Sequence, residues 1–208
     1  MNSLPKSIQN AIDALSDLPG IGSRSAERLI FALLKNEMPL EEKIAKALLN
    51  LKKNLGECER CHHYCETIEG ESNVQCGVCH DFSRDKKVIC IVEEPTDLIA
   101  IEKTHEYKGL YHVLHGVLSP MNKVGPEQLR IRSLTERLDN TDEKPDEIIL
   151  ALSGNIEADA TALYLTNELK KFSTIKVTRL ARGIPTGGDL DYLDIGTLSR
   201  AMLDRREF

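Results

Sequence analysis

The sequence predicts a multi-part α/β chain. It has an N-terminal helical unit, a small four-cysteine block, an α/β block built on a mainly parallel sheet, and a C-terminal segment with a short helix. Three observations predict it. Apolar residues recur at helical spacing through roughly the first 56 positions. Five of the six cysteines fall within 57–83, where that periodicity stops. From Val88 onward, short apolar runs alternate with helical patterns, as in parallel sheets whose strands are joined by helices.

The blocks divide as 1–56, 57–83, 86–180 and 181–208. In the first, Ile8, Ile12 and Leu15, then Leu29, Leu33 and Leu34, then Ile44, Leu48 and Leu51 mark three helical faces. The second is too short for a core of its own and needs a staple. The third opens with Val88-Ile89-Cys90-Ile91-Val92, an apolar strand ending on Glu93-Glu94, and a helix follows from Thr96. Strands are expected at 110–114, 148–152 and 175–180, and helices at 126–138 and 157–171. Cys90, in mid-strand, reads as core. The fourth block is rich in Gly and Asp, with a short helix near 197–203.

Composition narrows the function. The chain has 208 residues, 41% apolar and 29% charged, a globular balance. It contains no run of 18 apolar residues, so no membrane span is expected. Its start lacks a basic flank followed by an apolar block, which leads to the expectation of a cytoplasmic protein. The net charge of -6 argues against a generic polyanion binder. Residues 1–57 carry eight basic and seven acidic groups, so a local nucleic-acid site there is permitted. Aromatics are scarce, which favours backbone contacts to a duplex over base stacking.

Cys58-x-x-Cys61 and Cys76-x-x-Cys79 are two matched knuckles, fourteen residues apart. Each short loop sets two thiolates on one side of a tetrahedral ion, which points to one zinc per chain. Four protein ligands leave no open position, so the role is structural. Four buried free thiols are the alternative. Cys65 and the nearby His62, His63 and His80 lack paired spacing, and Cys65 reads as a spare thiol.

Leu18-Pro19-Gly20-Ile21-Gly22 stands between two helical segments. Gly20 and Gly22 permit a tight turn, with Ile21 as its inward anchor. The turn leaves backbone N–H groups at a helix start, where phosphate oxygens bind without base reading. Arg24 and Arg28 are four apart and share a helix face. Together they suggest a helix-hairpin-helix that grips a duplex backbone. An ordinary helical hairpin is the blander reading.

Glu93 follows a buried strand, where open α/β sheets place their sites, with Asp97 four residues on. Ser153-Gly154-Asn155-Ile156-Glu157-Ala158-Asp159 follows the third strand of the block. These groups either converge on Mg²⁺, or Glu157 and Asp159 simply favour a first helical turn.

Taken in order, Pro19-Gly20-Ile21-Gly22, the two cysteine pairs, Ile91-Val92-Glu93-Glu94-Pro95, Leu118-Ser119-Pro120, Gly125-Pro126 and Gly183-Ile184-Pro185-Thr186-Gly187-Gly188-Asp189-Leu190 resemble the RecR family of bacterial recombination proteins, over nearly the whole chain. The resemblance implies a helix-hairpin-helix, a four-cysteine zinc finger, a Toprim domain and a C-terminal Walker-B-like segment. It further implies a ring-shaped homo-oligomer, described as a tetramer encircling DNA, with RecO and RecF as partners in loading recombinase at gaps. It carries zinc ligation onto Cys58, Cys61, Cys76 and Cys79, duplex binding onto Arg24 and Arg28, and the characteristic Toprim glutamate onto Glu93. Catalytic Toprim enzymes carry an Asp-x-Asp pair where this chain has Ser153 and Asn155. Two neutral side chains cannot offset a divalent charge, so a catalytic metal loses most of its anionic field there. Glu157 and Asp159 match the acidic pair that follows, as a weak Mg²⁺ site or a partner-facing patch. Asn122-Lys123 and Ala158 depart from the usual family pattern, which bears on loop detail.

No GxxxxGK[ST] loop occurs, so ATP hydrolysis by this chain alone is not expected despite Asp189, Asp191 and Asp194. The 181–208 segment is expected to serve subunit contacts. The leading reading is a non-enzymatic repair mediator that binds gapped duplex. Its rivals are a Mg²⁺-dependent Toprim nuclease or strand-passing enzyme, a zinc-ribbon module without a DNA role, and a thiol oxidoreductase.

Overall fold

A computed structural model describes residues 4–35, 38–67, 74–139 and 144–205. The chain divides into two compact units, Met1–Asn54 and Leu55–Phe208.

The first unit is helical: α1 (Lys6–Ser16), α2 (Ser23–Lys35) and α3 (Leu40–Asn54). The expected apolar periodicity lies on these helices, and α1 packs on α2. Their seam is thin. Ile12 and Ala26 are its buried residues, and α3 buries none.

The second unit begins with a small antiparallel ribbon, β1 (Leu55–Glu57) against β2 (Tyr64–Glu66), followed by one helical turn, α4 (Gly77–His80). The rest alternates strand and helix: β3 (Asp85–Val92), α5 (Pro95–Glu102), β4 (Gly109–Val113), α6 (Ile131–Asp139), β5 (Glu147–Ala151), α7 (Ile156–Leu169) and β6 (Lys176–Arg179). A 3₁₀ turn (Leu190–Tyr192) and α8 (Ile195–Leu203) close it. The larger sheet runs β4-β3-β5-β6, and every pairing in it is parallel. That is the sheet the alternating pattern predicts.

Side-chain alternation on β3 splits the core. Ile89 and Ile91 face a cluster with Leu134 of α6 and Leu165 of α7. Cys90 and Val92 face the other way, with Leu98 of α5, Tyr111 and, from the cysteine block, Val78. Cys90 is core as expected, and burial pushes its thiol up to about 12.

Two local expectations are corrected. The helix expected from Pro126 starts only at Ile131. Gln128 and Leu129 close turns onto Gly125 and Pro126, and the Arg130 amide is drawn to the Leu114 carbonyl at 3.1 Å, away from a helical acceptor. β1 begins at Leu55, inside the block expected to be helical, and pairs with β2 of the cysteine block; three-residue strands are too short to show alternation.

Leu165 is fully buried where α7 meets the sheet. Leu165→Ala is expected to lower stability by about 2–5 kcal/mol, read as a lower urea midpoint at unchanged slope.

Candidate functional site

The four cysteines form a cage. Cys58 opens a turn closed by two hydrogen bonds of 2.8 Å, His62 N–H to Cys58 C=O and Cys58 N–H to His63 C=O. His62 takes a left-handed φ of 62°, which turns the chain back so that the His63 carbonyl meets the Cys58 amide. In the second knuckle the His80 amide returns to the Cys76 carbonyl at 3.0 Å. The Glu59 amide reaches Val74 C=O at 3.2 Å and joins the two halves. All four sulfurs lie within 4.8 Å of one another, and the cysteines are buried. Ligands at about 2.3 Å around a tetrahedral ion lie roughly 3.8 Å apart, and Cys61 Sγ to Cys76 Sγ is 3.5 Å. Cys58 is driven down by hydrogen bonds from Cys61, Cys76 and Cys79, while Cys61 and Cys79 are driven up, chiefly by Cys58. Such a set does not ionise together on its own, and a cation among the sulfurs removes the conflict. The donor set therefore fits a metal ion. Among the described residues it is the one group of three or more potential ligands brought together. Cys65 stays outside it, packed against its edge.

In the first unit, Leu18-Pro19-Gly20-Ile21 is a type II turn. The Ile21 amide meets the Leu18 carbonyl at 3.1 Å, and Gly20 sits at φ 82° in the position that demands glycine. Gly22 has an ordinary φ, so no backbone strain requires it; a side chain there would meet open space. Ile21 is partly buried. Arg24 and Arg28 are both exposed, on one face of α2, just after the turn.

The carboxyl ends of β3 and β5 meet at the point where strand order reverses, since β4 lies to one side of β3 and β5 to the other. Val92 pairs with Ala151, so Glu93 and Ser153 emerge together. The Glu93 carboxylate accepts hydrogen bonds from the Ser153 amide and, at 3.0 Å, from its hydroxyl. Asn155 Oδ1 accepts from the Ala158 amide at 2.7 Å and caps α7. Asp97 is occupied elsewhere, its Oδ2 taking the Glu94 amide at 2.9 Å to lock the start of α5. Glu157 accepts from the Ser119 hydroxyl. Asp159 is ringed by Arg179 at 2.6 Å, Arg200 at 3.0 Å and a two-pronged Arg182. The four acidic residues thus each have their own partner. The arginines around Asp159 are what sequence reasoning missed; the trace available was Arg179-x-x-Arg182 at a strand end.

Comparison with known proteins fits this geometry. The chain is 46% identical to a recombination protein RecR of Cytophaga hutchinsonii over 208 residues, covering 100% of this chain and 98% of that one. It is 46% identical to the RecR of Staphylococcus aureus over 203 residues, 98% of each chain. The chain belongs to the RecR family. A RecR of Chloroherpeton thalassium is 43% identical over 202 residues, 96% of each chain. Family models for the RecR helix-hairpin-helix, a Toprim domain and the RecR C-terminal region match residues 8–52, 87–181 and 183–206. The Toprim match spans the parallel sheet, so the switch-point pair in this RecR chain is Glu93 held by a serine. Among the described residues no helix is long and apolar enough to cross a membrane.

Cys58→Ser removes one of four convergent sulfurs and is expected to abolish metal retention, measured by elemental analysis of the purified chain, and to lower the unfolding temperature. Cys65→Ser is expected to leave metal content unchanged.

Proposed function

We propose that this chain is a non-enzymatic mediator of recombinational DNA repair. It binds duplex near gaps through the hairpin of its first unit. Membership of a family whose relatives are named recombination proteins along their full length carries this reading. The turn at Gly20 and Gly22 offers backbone amides to phosphate oxygens, and Arg24 and Arg28 neutralise neighbouring phosphates. Such contacts do not read sequence, so binding is general and salt-sensitive.

Cys58, Cys61, Cys76 and Cys79 hold one zinc ion per chain. Bound there, the ion cross-links two knuckles that have no core of their own, and with four protein ligands it leaves no position for substrate. The absence of catalysis rests on Ser153 and Asn155. The Ser153 hydroxyl is committed to Glu93 and the Asn155 side-chain oxygen to the Ala158 amide of α7, where a catalytic Toprim site places metal-binding carboxylates.

Self-association into a ring-shaped homo-oligomer, a tetramer, is supported by unpartnered apolar faces. Ile44, Leu48 and Leu51 share one side of α3 and are exposed by 42%, 63% and 56%. Ile195, Met202 and Leu203 of α8 are exposed as well. Single-sided helices of this kind bury their apolar stripe against another chain. RecO and RecF are the partners, in the cytoplasm, for loading recombinase onto gapped DNA.

Arg24→Glu with Arg28→Glu is expected to weaken binding to all duplexes and to reduce the slope of affinity against salt by about 2, measured by fluorescence anisotropy. Incubation of supercoiled plasmid with Mg²⁺ or Mn²⁺ is expected to leave it intact. Cleavage or relaxation that disappears in Glu93→Ala would establish the enzymatic reading instead. Leu48→Glu with Leu51→Glu is expected to shift sedimentation to smaller species.

A further inference from the structure

Asp159 has more cations around it than one carboxylate can neutralise. Arg182, in the segment after β6, and Arg200 of α8 donate to it, and Arg179 of β6 pairs with it at 2.6 Å. Arg179 and Arg182 also donate to the Ser153 carbonyl, at 3.3 and 3.0 Å, so their guanidinium groups are held in place. The Nε atoms of both are buried without a partner among the described residues. Guanidinium groups fixed by their own protein lose little freedom on meeting a further anion, and their planar fork matches the oxygens of a phosphate.

Asp159, Arg182 and Arg200 open onto a cleft of about 620 Å³, lined also by Gly154, Ile156 and Gly183 among others. The glycines leave it open, since a side chain at Gly154 or Gly183 would meet nothing within 4 Å. Asp194 also lines it, but its two oxygens are taken by the Thr197 amide at 2.9 Å and hydroxyl at 2.6 Å. With Arg179 behind the lining, three guanidinium groups stand against the two carboxylates of Asp159 and Asp194, a net of one positive charge. The cleft's volume sits within the roughly 300–1,000 Å³ of small-ligand sites, and a lone phosphate would leave most of it empty. Ile156, 87% exposed on the rim, offers apolar surface to a base.

We propose that the Asp159 cleft binds a phosphate group carried by a nucleotide-sized ligand. Where catalytic relatives of the Toprim fold gather carboxylates around a cation, this chain gathers arginines beside the same strand end. The site is separate from the hairpin of the first unit, and its phosphate comes from a free nucleotide or from a nucleic-acid backbone.

Calorimetric titration of the full chain tests this, with pyrophosphate and with ATP in metal-free buffer as probes. A second arm uses anisotropy with a short duplex and a chain in which Arg24→Glu and Arg28→Glu silence the hairpin. Arg200 is 52% exposed, so Arg200→Gln should fold, which its thermal midpoint will check. Arg200→Gln is expected to weaken binding about fivefold in at least one arm, and Asp159→Asn, which removes the internal competitor, to tighten it by a similar factor. A response to ATP or pyrophosphate alone identifies a free nucleotide as the source, and a response to duplex alone identifies the backbone; either supports the cleft. Binding in neither arm overturns the proposal, as does binding that Arg200→Gln leaves unchanged. If Asp159→Asn weakens binding as Arg200→Gln does, the carboxylate only shapes the cluster and the competition argument fails. Should Asp159→Asn not fold, Arg200→Gln against Arg200→Lys decides: charge alone restores binding only if an anion is held there.

Discussion

A parallel sheet must be covered on both faces, and the second unit has helices enough for little more than one. β3 is buried along its second half, so both of its faces need a layer. α6 and α7 supply the first. On the other face stands α5, eight residues long, and the cysteine block fills in beside it through Val78. The block is thereby part of the sheet's cover. The Val113 amide at the end of β4 reaches the Cys61 carbonyl at 2.8 Å, and Arg137 of α6 donates to the carbonyls of Arg60 and Tyr111. The four-cysteine block is stitched to a hydrophobic core by backbone groups, which must be paired once buried. Any disturbance of the cysteine cage therefore propagates into the sheet.

The C-terminal segment is attached by different physics. α8 has no buried residue, so apolar packing contributes little within the chain. Arg200 instead reaches Asp159, 41 positions earlier, and the segment's own helix start is capped by Asp194. Polar attachments of this kind weaken with salt, whereas the core between α7 and the sheet does not. The same carboxylate anchors a tail and tempers the arginines beside a cleft, so two properties share one side chain.

Much of this was legible in the sequence because the signals are local. Two matched cysteine pairs specify a cage by spacing alone. Pro19-Gly20 dictates a turn type, and Val88–Val92 is too apolar for anything but a buried strand. What was not legible depends on partners far along the chain. The arginines around Asp159 lie 20 to 41 positions away, and no period links them. The late start of α6 follows from a tertiary bond, Arg130 to Leu114, that overrides helical propensity. Ser153 read as a missing carboxylate; that it donates to Glu93 required the register of two strands.

That last hydrogen bond shapes which sequences lie within reach of this one. Ser153 is a donor facing an acceptor, and an aspartate in its place would set two carboxylates against each other with nothing between them. The exchange would be unfavourable until a cation arrived, and a cation would bind poorly until the second carboxylate, at Asn155, were also present. That second change keeps an oxygen to accept from the Ala158 amide and cap α7, but it sets another anion in the same loop. The intermediate with an aspartate at 153 alone is worse than either end. The present arrangement behaves as a ratchet: a metal-loaded strand end lies two substitutions away, and the one at Ser153 is unfavourable until a cation is held.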